Sequence, residues 1–238
     1  MSQYSAIIAG TGSSLPEKRL TNDELSKMVD TNDEWIVQRT GIRQRRIAAE
    51  GESTAMFATA AARKAIAAAG ISASDVDLII CATITPEMIF PSTGCFVAAA
   101  LGLNSTPAFD LTAACSGYLY ALATGTAFVK SGQYKNVLVI GAETLSRITD
   151  YQDRASCILF GDGAGAVLLQ RGSDLKRGVL YSALYADGSG ADLMKLIPGS
   201  RHPLTHELLD NRQQYMQLRG REVYKFAVQK FEELIQQS

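Results

Sequence analysis

Two short runs restrict the fold of this chain more than anything else in it: residues 77–83 (DLIICAT) and 136–141 (NVLVIG). Both are apolar at consecutive positions, so neither can turn one face to a core and the other to water. Such runs are buried on both faces, as strands are in a sheet covered by helices on either side. The segments around them keep the matching rhythm. An apolar run over residues 4–9 ends in Gly10-Thr11-Gly12, and an Ala-rich stretch over 53–69 is stopped by Gly70. A brief strand over 108–111 precedes a helical stretch over 116–130; residues 93–101 read as a short helix, and 158–169 as two apolar runs parted by Gly161-Asp162-Gly163-Ala164-Gly165. The alternation predicts an α/β fold with a mixed, largely buried sheet and helices on both faces.

Helix starts are marked twice. Thr21-Asn22-Asp23-Glu24 and Thr31-Asn32-Asp33-Glu34 each set a hydroxyl three residues ahead of a Glu, so the Thr can cap and the Glu can reach back. After Gly172 the texture changes. Residues 181–184 are strand-like, 187–211 are rich in Gly, Pro, His and charge and read as a long loop or lid, and 222–235 carry Val223, Phe226, Ala227, Phe231 and Leu234 at helical spacing.

Composition removes whole classes of function. With 238 residues, 47% hydrophobic and 20% charged, and a formal net charge of −1, the chain is expected to be soluble and globular, with no pull towards nucleic acid or an anionic membrane. No stretch approaches the roughly 20 apolar residues of a membrane span. The opening residues MSQYSAII lack the basic start and apolar core of a secretory signal. Cys81, Cys95, Cys115 and Cys157 have no CxxC spacing, so they read as free thiols in a reducing cytoplasm, without a zinc site.

Cys115 has the most suggestive setting. It lies between the short strand and the helix after it, within Ala113-Ala114-Cys115-Ser116-Gly117. A nucleophile on a sharp strand-to-helix turn needs small neighbours two positions to either side, the steric need that G-x-S-x-G states in hydrolases. The helix start also stabilises negative charge on a thiolate. A buried structural cysteine has the same local sequence, and spacing alone leaves both readings open. Cys81, Cys95 and Cys157 read as core. Gly10-Thr11-Gly12 opens like a dinucleotide fingerprint, but Leu15 stands at the third glycine position, which argues against NAD. The GDGAG run is read as close backbone packing rather than a phosphate cradle, since no helix with a following Lys succeeds it. Trp35 beside Arg39, Thr40 and the run Arg43-Gln44-Arg45-Arg46 suits either an adenine with phosphates or a half-buried aromatic under a solvated basic face. His202 and His206 fall in the polar loop and read as exposed.

As a set, TNDEWIVQRTGIRQRR (31–46), FPSTGC (90–95), DLTAACSGYLYAL (110–122), GAETLS (141–146) and ILFGDGAGAVLL (158–169) resemble β-ketoacyl-acyl carrier protein synthase III, a condensing enzyme of the thiolase superfamily. The resemblance implies a thiolase-like fold, layered α/β/α/β/α from two similar halves. It places residues 1–172 in the first half, with the nucleophile, and 173–238 at the start of the second. It implies that Cys115 takes an acetyl group from its coenzyme A thioester, and that malonyl-acyl carrier protein then condenses with it to 3-oxoacyl-acyl carrier protein. No cofactor or metal is implied beyond coenzyme A as part of the substrate, and the expected assembly is a homodimer. Binding roles carry over as well. Trp35 and Arg154 would sandwich the adenine, with Thr31, Arg39 and Thr40 at the nucleotide end. Leu218, Gly220 and Tyr224 would line the pantetheine tunnel. Phe90 would cross a dimer interface to close the acyl pocket, with Phe160 at its wall, which favours short primers.

The chain departs from that pattern at one point. The family's catalytic His (PHQAN-like) and Asn (GNTSA-like) lie in the second half, and the sequence reaches Ser238 before either motif. It therefore reads as a fragment that lacks full activity alone, with an apolar face uncovered on its last helix. Other readings are a secondary-metabolic condensing enzyme with a different primer, a thiolase, a non-catalytic partner subunit, or an acyl hydrolase using the same elbow.

Overall fold

A computed structural model describes residues 3–237. In chain order the elements are β1 (Ser5–Ser14), β2 (Arg19–Thr21), α1 (Asn22–Leu25), α2 (Asp33–Thr40), β3 (Gln44–Arg46), α3 (Thr54–Ala68), β4 (Leu78–Ala82) and α4 (Thr93–Ala100). Then follow β5 (Ala108–Leu111), α5 (Gly117–Lys130), β6 (Asn136–Thr144), β7 (Asp162–Gly172), β8 (Met194–Lys195), α6 (His206–Asp210), β9 (Gln217–Leu218) and α7 (Gly220–Gln237). They fall into two compact units. One comprises the chain up to Arg19 with Arg46–Thr144 and Gly161–Leu184; the other comprises Leu20–Arg45, Leu145–Phe160 and the chain from Tyr185 onward. The expected boundary at 172 falls inside the first unit, because the chain leaves that unit and returns to it.

The first unit is built on a five-stranded sheet in the order β1-β7-β6-β4-β5. β4 runs parallel to β5 and β6, and β7 runs antiparallel to β6 and β1. Its centre shows why the middles of the two runs are apolar at every position. In β4, Ile79 and Cys81 pack with Ala58, Ala61 and Ala65 of α3 and with Val97 of α4. The alternating residues Leu78, Ile80 and Ala82 pack with Ala121 and Val129 of α5. β6 repeats the division, with Leu138 and Ile140 on one side and Val137 and Val139 on the other. Successive side chains point to opposite faces, and each face has its own helix layer. Burying each of these large aliphatic side chains contributes about 1.5–3 kcal/mol.

Gly10-Thr11-Gly12 proves to be a packing device. A Cβ at Gly10 would lie 2.2 Å from the carbonyl oxygen of Ala65, and one at Gly12 would lie 2.2 Å from that of Ala61. Only glycine lets β1 rest directly on the backbone of α3. The GDGAG run is not a gap between two strands: from Asp162 onward it is the first part of β7. A Cβ at Gly163 would press on Leu15 at 2.7 Å, whereas one at Gly165 would meet nothing within 4 Å, so the packing reading holds for Gly163 and not for Gly165.

Several expectations are corrected. Asn32, not Thr31, caps α2, its side chain accepting the N–H of Trp35 at 2.8 Å. Of the two start signatures, the one at Thr21 and Glu24 forms the full capping box. Residues 181–184 form no strand and belong to none of the sheets among the described residues. The stretch 187–211 is not a plain loop, since it contains β8, which pairs with β9, and α6. In the second unit Leu25 and Ile36 pack with Cys157 and Ile158. The helical spacing of the last segment is realised as α7, on which Phe226 and Phe231 are exposed. No helix among the described residues is long and apolar enough to cross a membrane.

Candidate active site

The elbow at Cys115 is made by the backbone. β5 ends at Leu111, a short 3-10 turn covers Ala114–Ser116, and α5 begins at Gly117. Ala114 is held at φ +46°, in the left-handed region that costs an L-residue roughly 1–2 kcal/mol. Backbone strain of this kind gathers where a side chain must be presented in a set direction. The small neighbours matter less than the sequence suggests. A Cβ at Gly117 would touch that of Ala82 at 3.4 Å, an ordinary contact. β5 is also anchored below the elbow, where the Asp110 carboxylate accepts the N–H groups of Thr93 and Gly94 at 2.6 and 2.8 Å.

The four cysteines separate cleanly. Cys81 and Cys157 are buried, and burial is the main cause that pushes both thiols up, that of Cys157 to about 11. Cys115 is exposed and opens on a cavity of about 450 Å³. The cavity is walled by the ends of four strands, with Gly12, Ala82, Glu143 and Gly165 among its lining, and by Tyr118 of α5. Cys95 is a correction: it is exposed rather than core, because α4 turns Val97 and Ala98 inward instead, and it accepts a hydrogen bond from the Ser92 hydroxyl at 3.2 Å.

Glu143 was not singled out from the sequence. It stands near the end of β6 beside the cavity, and burial, the largest influence, raises its carboxyl above the usual carboxylate range. The signal that could have found it is a carboxylate next to the end of a mostly apolar strand, NVLVIGAET.

In the second unit the structure brings Trp35, Arg39 and Arg154 together. The guanidinium of Arg39 lies 4.5 Å from the centre of the Trp35 ring and that of Arg154 lies 4.8 Å from it. Arg154 also donates to the carbonyl of Asp30 at 3.0 Å. Trp35 is half-buried beside Leu25 and Ile36, as the reading of a half-buried helix aromatic expects. Arg45 belongs to neither, being buried with its guanidinium bonded to the side chain of Asn22 and the carbonyl of Ile158. The Thr40 hydroxyl donates to the Ile36 carbonyl and accepts from Ile42, while Thr31 Oγ1 is buried with no hydrogen-bond partner. Leu218 lies in β9, Gly220 opens α7, and Tyr224 is exposed on that helix. Phe160 is half-buried in this unit. Phe90 belongs to the first unit and is 81% exposed, beside the still barer Ile89. His202 and His206 are exposed. Among the described residues no group of three or more His, Cys, Asp or Glu could hold a metal ion.

Comparison with known proteins identifies the family. The family profile of 3-oxoacyl-[acyl-carrier-protein (ACP)] synthase III matches residues 109–188, which contain the elbow. A β-ketoacyl-[acyl-carrier-protein] synthase III from Thiobacillus denitrificans is 48% identical over 236 residues, covering 99% of this chain and 71% of that protein. One from Laribacter hongkongensis is 54% identical over 223 residues, covering 94% and 68%. The crystal structure of 3-oxoacyl-[acyl-carrier-protein] synthase III from Aquifex aeolicus superimposes with a TM-score of 0.85 at 45% identity, covering 98% of this chain and 70% of that one. These matches extend over nearly the whole chain, and the chain belongs to the β-ketoacyl-[acyl-carrier-protein] synthase III family.

Proposed function

We propose that Cys115 is the acyl-accepting nucleophile of this condensing acyltransferase, acetyl coenzyme A its donor and malonyl-acyl carrier protein its second substrate. The observation that carries the reading is the exposed sulfur on a strained elbow, open to a cavity large enough for a short acyl group. The Cys115 thiolate attacks the thioester carbonyl and the coenzyme A thiolate leaves. Malonyl-acyl carrier protein then loses carbon dioxide, and the carbanion attacks the acyl-enzyme, expelling the Cys115 thiolate. Sulfur suits both roles because it is a good nucleophile and a good leaving group.

Trp35 and Arg154 are the proposed adenine contacts, with Thr31, Arg39 and Thr40 at the nucleotide end. Their present spacing leaves one stacking gap, and an intervening adenine needs two, so binding separates the Arg154 guanidinium from the ring. The unpartnered Thr31 hydroxyl supports a ligand contact there. Leu218, Gly220 and Tyr224 serve the pantetheine arm, and Phe90 and Phe160 the acyl pocket of a homodimer. The reading carries with it a cytoplasmic location, where coenzyme A thioesters and free thiols coexist. Intact-protein mass spectrometry tests it: wild type gains one acetyl group from acetyl coenzyme A and Cys115→Ala gains none. An unmodified wild type, or acetylation that survives the substitution, removes the assignment.

A further inference from the structure

The acyl transfer set out above leaves Glu143 without a part, although it stands in the wall of the Cys115 cavity. A carboxylate behind a run of buried apolar residues costs free energy unless its oxygens find donors. Here they do. The Ile84 N–H donates to Oε1 at 2.9 Å, and the hydroxyls of Thr83 and Thr85 donate to Oε2. The knot extends further. Thr85 Oγ1 accepts the N–H of Thr144 at 2.9 Å, the Thr85 carbonyl accepts the Thr54 hydroxyl at 2.6 Å, and the Thr54 and Thr144 hydroxyls lie 2.8 Å apart. The start of α3, the exit of β4 and the end of β6 are thereby tied at one buried point. The exit of β4 follows directly on Ala82, which lines the cavity, and leads on to the exposed Met88-Ile89-Phe90 segment.

We propose that Glu143 is a positioning residue: by holding Thr83, Ile84 and Thr85 against β6 it fixes the cavity wall and limits the length of acyl chain that Cys115 accepts. The inference rests on the reading of Cys115 as acyl acceptor.

The test is single-turnover acylation by acetyl, butyryl and octanoyl coenzyme A, followed by intact mass, on wild type, Glu143→Ala, Thr85→Val, Thr85→Ser and Cys115→Ala. Glu143→Ala removes both the anchor and some bulk from the cavity. Thr85 is not among the residues lining the cavity, so Thr85→Val separates loss of position from loss of bulk. Both variants are expected to raise the octanoyl-to-acetyl rate ratio about tenfold or more, the discrimination that one methylene carries in an apolar pocket. Thr85→Ser, which keeps the hydroxyl, restores the wild-type ratio. An unchanged ratio in Thr85→Val, or an equal slowing of all three thioesters in both variants, overturns the proposal. A wild type that takes up no acyl group, or Cys115→Ala that still does, overturns the Cys115 reading and this inference with it.

Discussion

Ala114 carries the strain of the elbow, and its effect is measurable. At φ +46° glycine is free of the Cβ penalty, although it costs the unfolded chain extra entropy. Ala114→Gly is therefore expected to leave stability unchanged or raise it by up to about 1 kcal/mol, and Ala114→Val to lower it by about 2 kcal/mol. Urea midpoints of the two variants check this, and a Val variant as stable as wild type would mean that the backbone is not strained there. At this scale the sequence was legible where function needs a local pattern. Cys115 stands out because its small neighbours and the strand and helix around it are contiguous. Glu143 does not, because its donors lie 58 to 60 positions away and nothing near it in the chain reports them. Thr31 shows the same limit at short range: two equivalent start signatures differ by one residue in which side chain caps.

Among the elements, the contact of β1 with α3 depends on glycine most directly. Gly10 follows the register shift at Ile8 in the pairing of β1 with β7, and its Cα faces the backbone of α3. A methyl group at this position meets backbone atoms at 2.2 and 2.5 Å, which no rotamer change relieves. Gly10→Ala should therefore cost about 3 kcal/mol or more, since strand and helix must separate along their length. Gly165→Ala is the control: it places the same methyl group where nothing lies within 4 Å and should change stability little. Equal urea midpoints for the two variants would refute the direct seating of β1 on α3. The sequence showed the strand and helix types along the chain because unbroken apolar runs and helical spacing report burial, but not the order of strands in the sheet. It concealed the merging of the GDGAG run into β7, because glycine carries no side-chain pattern, and it suggested a strand at 181–184 where the fold forms none.

For the molecule as a whole, burial is uneven, and the unevenness predicts how the chain opens. In β4 every residue from Leu78 to Ala82 is at most 4% exposed, and Val137, Leu138, Val139 and Ile140 of β6 are completely buried. Both strands are hydrogen-bonded on two sides and covered by helices on two faces, so freeing one amide exposes the entire core of the first unit. α7 presents the opposite case. Phe231 is 68% and Ile235 73% exposed, and its turns can open without uncovering a core. Native-state hydrogen exchange in increasing urea should therefore divide the molecule. Amides of residues 78–82 and 137–140 should exchange only through opening as sensitive to urea as global unfolding, because the full surface is exposed each time. Amides of α7 should exchange through local fluctuations almost insensitive to urea. Exchange of the β4 amides with a small urea dependence would show that the sheet frays strand by strand. The two apolar runs that define the fold would then not also be the last part of it to open.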